Sequence, residues 1–461
     1  MDSPILLPAP AGPPLRELAA AVPDERRPVL LDSSGPPGRC AAWSYVAFDP
    51  AQWIERRAGE GPGTAFDALE AALRARWPGA PAARGDGGGV DAPDARPAFR
   101  GGAIGWLAYD LGRELERLPA RAAPDADLPD LSIGLYPFAL AEQAGTGRRW
   151  VTGRGSAAAA RDFLAQVADL SARAQPLPAP ARVGRVTSTF DRAGYEAAVR
   201  AVREHILDGD VYQVNLSQRL LADYPGDAAP LQAALAARFP APFGALLRAP
   251  GCALLSASPE LFLRRRGETL LSRPIKGTRP RGADPAADAA LRAELESSAK
   301  ERAELAMIVD LVRNDLGRTA RLGSVRVVGG FETDAWSTVF HRVAEVRCDV
   351  DAGVPSARVV AAAFPPASVT GTPKIRACEV IEELEPVRRH AFTGAIGWIG
   401  ADGDMDLSVA IRIATLVGRR LLFNVGGGIT LASDPSAEYD ETIHKARALL
   451  DVLGAPAGVS A

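Results

Sequence analysis

GCALLSASPELFLRRRGETLLSRPIKGTRPR (Gly251–Arg281) reads as consecutive strands and turns. Runs of Leu, Ala and Phe are cut by Pro259, Gly267 and Pro274, the residues that end or redirect an extended chain. Directly behind it, ADAALRAELESSAKERAELAMIVDLVRNDLGR (287–318) reads as one long helical stretch. The same exchange recurs outward in both directions. DRAGYEAAVRAVREHILDGD (191–210) is an amphipathic helix, with Tyr195, Val199, Val202 and Ile206 on one face. It is expected to start after Thr187–Ser188 and to stop at Gly209. VYQVNLSQRLLADY (211–224) then alternates as a strand. After GSVRVVGG (323–330) the pattern is extended again, and TPKIRACEVIEELEP (372–386) is helical. GAIGWIG, LSVAIRIATLVG and RRLLFNVGGGIT (394–430) read as three successive strands. SAEYDETIHKARALLDVL closes as a helix with Asp434 as N-cap and Pro435 at its first position. Upstream, PVLLDSS, AAWSYVAFDP and GGAIGWLAYDL read as short strands. Strand blocks interrupted by helical blocks define an α+β class.

Composition narrows the function classes. The 461 residues allow one to three domains. Hydrophobic residues are 47% and charged residues 24%, the balance of a globular protein. Glycine and proline together are about 18%, below the roughly 25–30% of low-complexity chains. The net charge of −3 argues against a nucleic-acid binder. No apolar window is long enough to span a membrane, and the prolines and acid of MDSPILLPAPAGPPL do not read as a signal peptide. Cys40, Cys252, Cys348 and Cys378 lie far apart with no CxxC, so disulfides and a cysteine zinc site are not expected, and the cytoplasm is the expected compartment. GAPAARGDGGGVDAPDARPA (79–98) reads as a long loop, and QPLPAPARVGRV (175–186) as a surface connection. The latter divides an N-terminal region, 1–175, from a C-terminal one, 186–455, or is a loop within one domain.

Four groupings carry possible chemistry. Glu301 and Glu304 are three apart on one helix, as are Glu438 and Glu441 on another. Four carboxylates suit Mg²⁺, which takes oxygen ligands, although ExxE also occurs on solvated faces. Lys276 follows an apolar strand and precedes Gly277. Partly desolvated it would be a nucleophile; otherwise it is a surface lysine beside Arg273, Arg279 and Arg281. Glu260 lies in an apolar run, where a carboxylate is either a poised acid–base or a structurally paired group. Gly426, Gly427 and Gly428 leave backbone N–H groups open to an anion, or form a plain turn. His341 and Arg412 sit at the ends of apolar runs.

Taken together, SPELFL, RPIKGTRPRG, ERAELAMIVDLVRNDLGR, ASVTGTPKIRA, GAIGW, LSVAIR, GGGI and AEYDETIHKAR stand in an order that resembles the chorismate-utilising enzymes. These include anthranilate synthase component I, aminodeoxychorismate synthase component I, and isochorismate and salicylate synthases. The resemblance is strong over 190–452 and weaker upstream, through PVLLDSS and FRGGAIGWLAYDLGRELERLP. It implies two packed β-sheets with outer helices, built from both halves of the chain. PIKGT is similar to the signature of the aminodeoxychorismate-forming branch, which supplies p-aminobenzoate and folate. Anthranilate synthases usually carry Ala at the place of Lys276. The water-using branches place a lysine where this chain has Gln213, so ammonia is the implied nucleophile.

By the same resemblance Lys276 attacks ring carbon 2 of chorismate as the carbon 4 hydroxyl leaves, and Glu260 is the general acid–base. Glu301, Glu304, Glu438 and Glu441 form the Mg²⁺ set. Arg412 takes the enolpyruvyl carboxylate, Gly426, Gly427 and Gly428 offer backbone donors, and Lys445 is the C-terminal lysine. His341, Ser368 and Trp398 match substrate-side positions; Ser368 is Thr in anthranilate synthases, and Tyr is commoner at Trp398. Leu30, Leu31, Asp32 and Ser33 match the LLxS strand of an N-terminal tryptophan pocket. No cysteine stands in the GxCxG setting of a class I glutaminase, so ammonia is expected from a separate glutaminase subunit or from solution. No room remains after 452 for a pyridoxal-dependent lyase, so the expected product is aminodeoxychorismate. The competing readings are anthranilate synthase component I and a catalytically inactive chorismate-binding subunit.

Overall fold

The computed structural model describes residues 3–35, 38, 40, 42–80 and 96–455. Residues 81–95 of the long glycine- and alanine-rich segment lie outside them. Two antiparallel sheets, of twelve and ten strands, account for the strands of the described residues. The first runs from Ser3–Ala9 at one edge through Arg149–Gly155, Phe138–Gln143, Trp43–Ala47, Val29–Asp32, Phe243–Ala249, Cys252–Ser258, Ile413–Val417, Arg420–Ile429 and Gln213–Asp223 to the two residues Gly371–Thr372. The second runs from Ile275–Pro280 through Val339–Asp349, Thr269–Arg273, Leu261–Arg266, Met405–Val409, Ala395–Gly400, Gly102–Leu107 and Leu131–Tyr136 to Gln52–Arg56. Both sheets take strands from either side of the 175–186 connection.

The sheets face each other with helices outside, so alternate residues of one strand enter different cores. Tyr45 and Ala47 join Ile104, Trp106, Ile396 and Trp398 between the sheets, while Val46 points outward to the helix residues Leu18, Phe163 and Val167. Beyond the second sheet, Leu305, Ile308 and Val312 of the helix Ala299–Gly317 pack with Leu263, Leu270 and Leu407. Gly102–Leu107 is buried at every position, which is why it reads as an unbroken apolar run rather than an alternating one.

Three local expectations change. The amphipathic helix begins at Arg192, capped by the Asp191 side chain, later than the threonine–serine pair suggested; Gly209 beyond it has φ +83. The long stretch 287–318 is two helices, Pro285–Ser297 and Ala299–Gly317, broken at Ser298. Ser298 ends the first and caps the second, its hydroxyl accepting from the Glu301 N–H. LSVAIRIATLVG is two strands in different sheets, because the chain turns at Arg412, where φ is +53. Ser3–Ala9 is an edge strand, a place where Pro4 and Pro8 need no ladder donor. Among the described residues no helix is long and apolar enough to cross a membrane.

Candidate active site

The chain passes between the sheets twice in neighbouring places. Cys252–Ser258 belongs to the first sheet and Leu261–Arg266 to the second, with Glu260 at the crossing. Met405–Val409 belongs to the second and Ile413–Val417 to the first, with Arg412 at the crossing. The crossings are tied by backbone: Val409 N–H donates to the Glu260 carbonyl and Ala257 N–H to the Arg412 carbonyl, both at 3.0 Å. Glu260 and Arg412 thus stand side by side where neither ladder is continuous.

Glu260 is 3% exposed, and burial pushes its carboxyl up to about 7 against the pull of a Ser368 hydrogen bond, Lys276 and the Ile275 N–H. Lys276 stands on Ile275–Pro280. Burial lowers its ammonium pKa, opposed by Glu304, Glu260 and Glu441, while Lys445 lowers it further. Gly277 next to it has φ +82, and a Cβ there would lie 2.8 Å from Glu301 Oε2. Glycine therefore permits both the left-handed backbone and the approach of the helix Ala299–Gly317.

That helix presents Glu301 and Glu304 from its first turns. Glu301 meets Arg279 at 3.4 Å, and Glu304 meets Lys300 at 3.9 Å. The helix Pro435–Val452 presents Glu438, Glu441 and Lys445 along one face. Ser433 donates to Glu438 at 2.6 Å; Lys445 pairs with Glu441 at 2.7 Å and donates to the Gly426 carbonyl at 2.7 Å. A Cβ on Gly427 would stand 3.2 Å from Glu438 Oε2 and 3.7 Å from both Glu441 Oε1 and Lys445 Nζ.

Burial raises Glu304, with Glu301 and Glu438 adding repulsion; burial and Glu441 likewise raise Glu438. Burial acts upward on Glu441, but Lys445, with Lys300 and Lys276, outweighs it and the carboxyl is lowered. Carboxylates from two helices therefore face one another across a part-buried gap, a donor set suited to a hard cation. Their oxygens do not converge closely: among the described residues the acidic or histidine ligand atoms that gather within 4.8 Å are those of Asp110, Asp130 and His390. Those three are already engaged, Asp110 by Arg113 and the His390 N–H, Asp130 by the Ala58 N–H, and His390 by Asp125.

His341 is buried and shares a 2.9 Å hydrogen bond between Nδ1 and Thr278 Oγ1. Burial, helped by the Arg412 charge, pushes it down to about 3, so the ring is neutral at physiological pH. Arg412 is reached by solvent yet surrounded by protein, as in a cleft, and burial lowers its pKa. Among the described residues it has no carboxylate partner, and its guanidinium lies 6.0 Å from the Phe239 ring. An unpaired arginine in a cleft is suited to an anionic ligand.

The structure thus brings Lys276, Glu260, Ser368, Glu304, Glu438, Glu441, Lys445 and the glycines together, with Glu301, His341 and Arg412 beside them. Trp398 is not among them. It lies between the sheets, lining a second cavity with Leu31, Ser33, Trp43 and Tyr45, and Arg266 covers its ring at 5.2 Å. In that cavity Ser33 donates to the Trp43 and Pro242 carbonyls, and Asp32 pairs with Arg16 at 2.7 Å. Sequence reasoning did not find Thr278 or Ser433. The pairing of Thr278 with His341 comes from strand register, which no local pattern announces.

A family model for chorismate binding enzymes matches residues 28–451. The chain belongs to this family of chorismate binding enzymes. Aminodeoxychorismate synthase component 1 of Klebsiella aerogenes is 42% identical over 356 residues, 77% of this chain and 78% of that protein. Anthranilate synthase component 1 1 of Haloarcula marismortui is 38% identical over 452 residues, 93% and 88% of the two chains. The crystal structure of anthranilate synthase component I from Streptococcus pneumoniae TIGR4 matches with a TM-score of 0.76 at 26% identity, covering 89% of this chain and 92% of that one.

Proposed function

We propose that the chain is the synthase component of an aminodeoxychorismate synthase, converting chorismate and ammonia to 4-amino-4-deoxychorismate for p-aminobenzoate and folate supply. The observation that carries the reading is Lys276, held part-buried against Gly428 and facing Glu260. A buried lysine amine reaches its neutral, nucleophilic form at lower pH than a solvated one. Its nitrogen forms a bond to ring carbon 2 of chorismate, both ring double bonds shift, and the carbon 4 hydroxyl departs. Glu260, protonated near neutrality, gives that hydroxyl a proton, so water leaves. Ammonia then forms a bond to carbon 4, both double bonds shift back, and Lys276 is released. Glu260, now a carboxylate, takes up the proton that ammonia sheds. The net change transfers an amino group to the ring and releases water.

Arg412 and the backbone of Gly426, Gly427 and Gly428 hold the carboxylates of the substrate. Neutral His341, fixed by Thr278, faces the ring without adding charge. Glu301, Glu304, Glu438 and Glu441 fit a Mg²⁺ ion, whose chemistry when bound is to neutralise a substrate carboxylate that these acids would otherwise repel. Ammonia comes from a separate glutaminase, and the cavity at Leu31 and Ser33 takes tryptophan. Four unpaired cysteines support a cytoplasmic setting.

The second reading, anthranilate formation, is favoured by the longer match to relatives of that name. Product identity separates the two. Chorismate, Mg²⁺ and an ammonium salt should yield a product that keeps the enolpyruvyl chain. A fluorescent aromatic amine that has lost that chain would establish the second reading instead.

A further inference from the structure

Lys374 opens the helix Lys374–Leu384, and its side chain turns back into the protein. Its ammonium donates to Asp315 Oδ2 at 2.7 Å, to the Ala363 carbonyl at 2.9 Å and to the Pro365 carbonyl at 2.8 Å. An ammonium has three protons to give, so this one is fully used. Asp315 is buried near the end of the helix Ala299–Gly317. Ala363 ends the helix Ser356–Ala363, where a carbonyl has no partner within the helix. The two carbonyls thus belong to one short segment, and five residues past Ala363 that segment carries Ser368, which borders the same small cavity as Glu260 and draws its carboxyl down.

The far side of the segment is held in the same manner. Arg389 Nη1 donates to the Val369 carbonyl at 3.0 Å and is itself paired with Glu385 at 2.6 Å. Within the segment, Phe364 packs edge-on against Phe66 and against Phe262, two residues beyond Glu260. A small cavity bordered by Glu260, Ser368, Asp315 and Val312 separates the clamp from the acid–base group. Lys374 therefore hydrogen-bonds no group placed in the reaction, and its two carbonyl partners lie five and three residues before Ser368.

We propose that Lys374 and Asp315 are positioning residues for the amination. The pair fixes the segment 363–369 so that Ser368 meets the Glu260 carboxylate in one geometry. A buried ion pair adds little stability over an apolar pair of the same size, but three directed bonds to separate elements define a backbone position. The proposal rests on Glu260 acting as the acid–base group of the proposed reaction.

The test is a double-mutant cycle on ammonia-dependent turnover of chorismate, with Tm recorded for every variant. Ser368→Ala and Lys374→Met should each lower kcat by at least roughly tenfold, with the chorismate KM changed by less than about threefold. Combined, they should lose no more than the worse single variant, because both remove one contact. Lys374→Met with Asp315→Leu removes both charges; it should recover Tm while kcat stays low. Losses that multiply in the combined variant, or a kcat that recovers together with Tm, would overturn the positioning role. Glu260→Gln is the control for the underlying reading. If it retains full activity, the acid–base assignment is what has failed; if it is inactive while the cycle is additive, only the clamp has.

Discussion

Lys276 Nζ lies 3.3 Å from the point that a Cβ on Gly428 would occupy, and Gln213 Nε2 lies 2.3 Å from the same point. The absent side chain is what lets the lysine and the amide share that space. Gly428→Ala should therefore displace both. We expect kcat with ammonia to fall by roughly 10²-fold, the scale of a misplaced reacting group. Near-normal Tm alongside the lost rate would locate the effect in the site rather than in folding.

Lys276→Ala removes the amine itself. If the covalent route dominates, aminodeoxychorismate formation should drop by roughly 10²–10⁴-fold at low ammonia. Some turnover should survive through direct attack by ammonia. Initial rates across an ammonium series check this; an unchanged rate at the lowest concentrations would remove Lys276 from the chemistry.

Much of this was legible in the sequence, and the parts that were not have a common cause. The carboxylate pairs on the two helices follow from i, i+3 spacing, and the Asp434 cap with Pro435 holds as read. The break at Ser298 was hidden because both flanking segments are good helix formers and the cap lies between them. The division of LSVAIRIATLVG was hidden because both halves are apolar: nothing local says that residues before Arg412 join one sheet and residues after it the other. Trp398 was misplaced for a related reason. Its strand does run beside the site, but successive residues face opposite sides, and only the packing shows which side Trp398 takes. Lys374 and Asp315 sit inside the segments that carry the resemblance, yet their meeting depends on three elements brought together by the fold.

Glu260 makes stability depend on pH in a defined direction. Its carboxyl is raised from 4.5 to about 7 in the folded protein, so between these values the folded state holds a proton that the unfolded state has released. This contribution is fully present below about pH 4.5 and is lost as pH rises through 7. Glu260→Gln keeps the shape and cannot ionise. It should match the wild type near pH 4.5 and exceed it at pH 8, by at most about 3 kcal/mol. Urea unfolding at the two pH values measures the difference, and equal gaps at both would show that Glu260 ionises freely in the fold.

Glu304→Gln and Glu441→Gln each remove one anionic oxygen from the facing carboxylates. Each should move the Mg²⁺ concentration for half-maximal activity upward, by roughly tenfold, the lower end for a lost ligand-shell group. Tm without Mg²⁺ should hold or rise for Glu304→Gln, because Glu304 is part-buried among other acids and its charge is unfavourable there, and should fall slightly for Glu441→Gln, which loses the Lys445 pair. Rate against Mg²⁺ concentration is the measurement, and an unshifted curve in both variants would take these residues out of the metal set.

The ammonia supply gives the last expectation. The sequence has no GxCxG glutaminase nucleophile, and relatives bear the name component 1, which points to a second component. At neutral pH ammonium dominates and free ammonia is scarce, so a synthase working from solution is starved of the reacting species. A docked glutaminase would release ammonia beside Lys276 at high effective concentration. The isolated chain should therefore turn over chorismate with ammonium salts, faster as pH rises, and should be inactive with glutamine. Adding a class I glutaminase component should confer glutamine-dependent turnover that exceeds the ammonium rate at neutral pH and narrows toward it at high pH. The chain purified free of glutaminase is the decisive sample: glutamine-dependent product at the ammonium rate would mean that it carries its own amide-hydrolysing site, and the two-component reading would be abandoned.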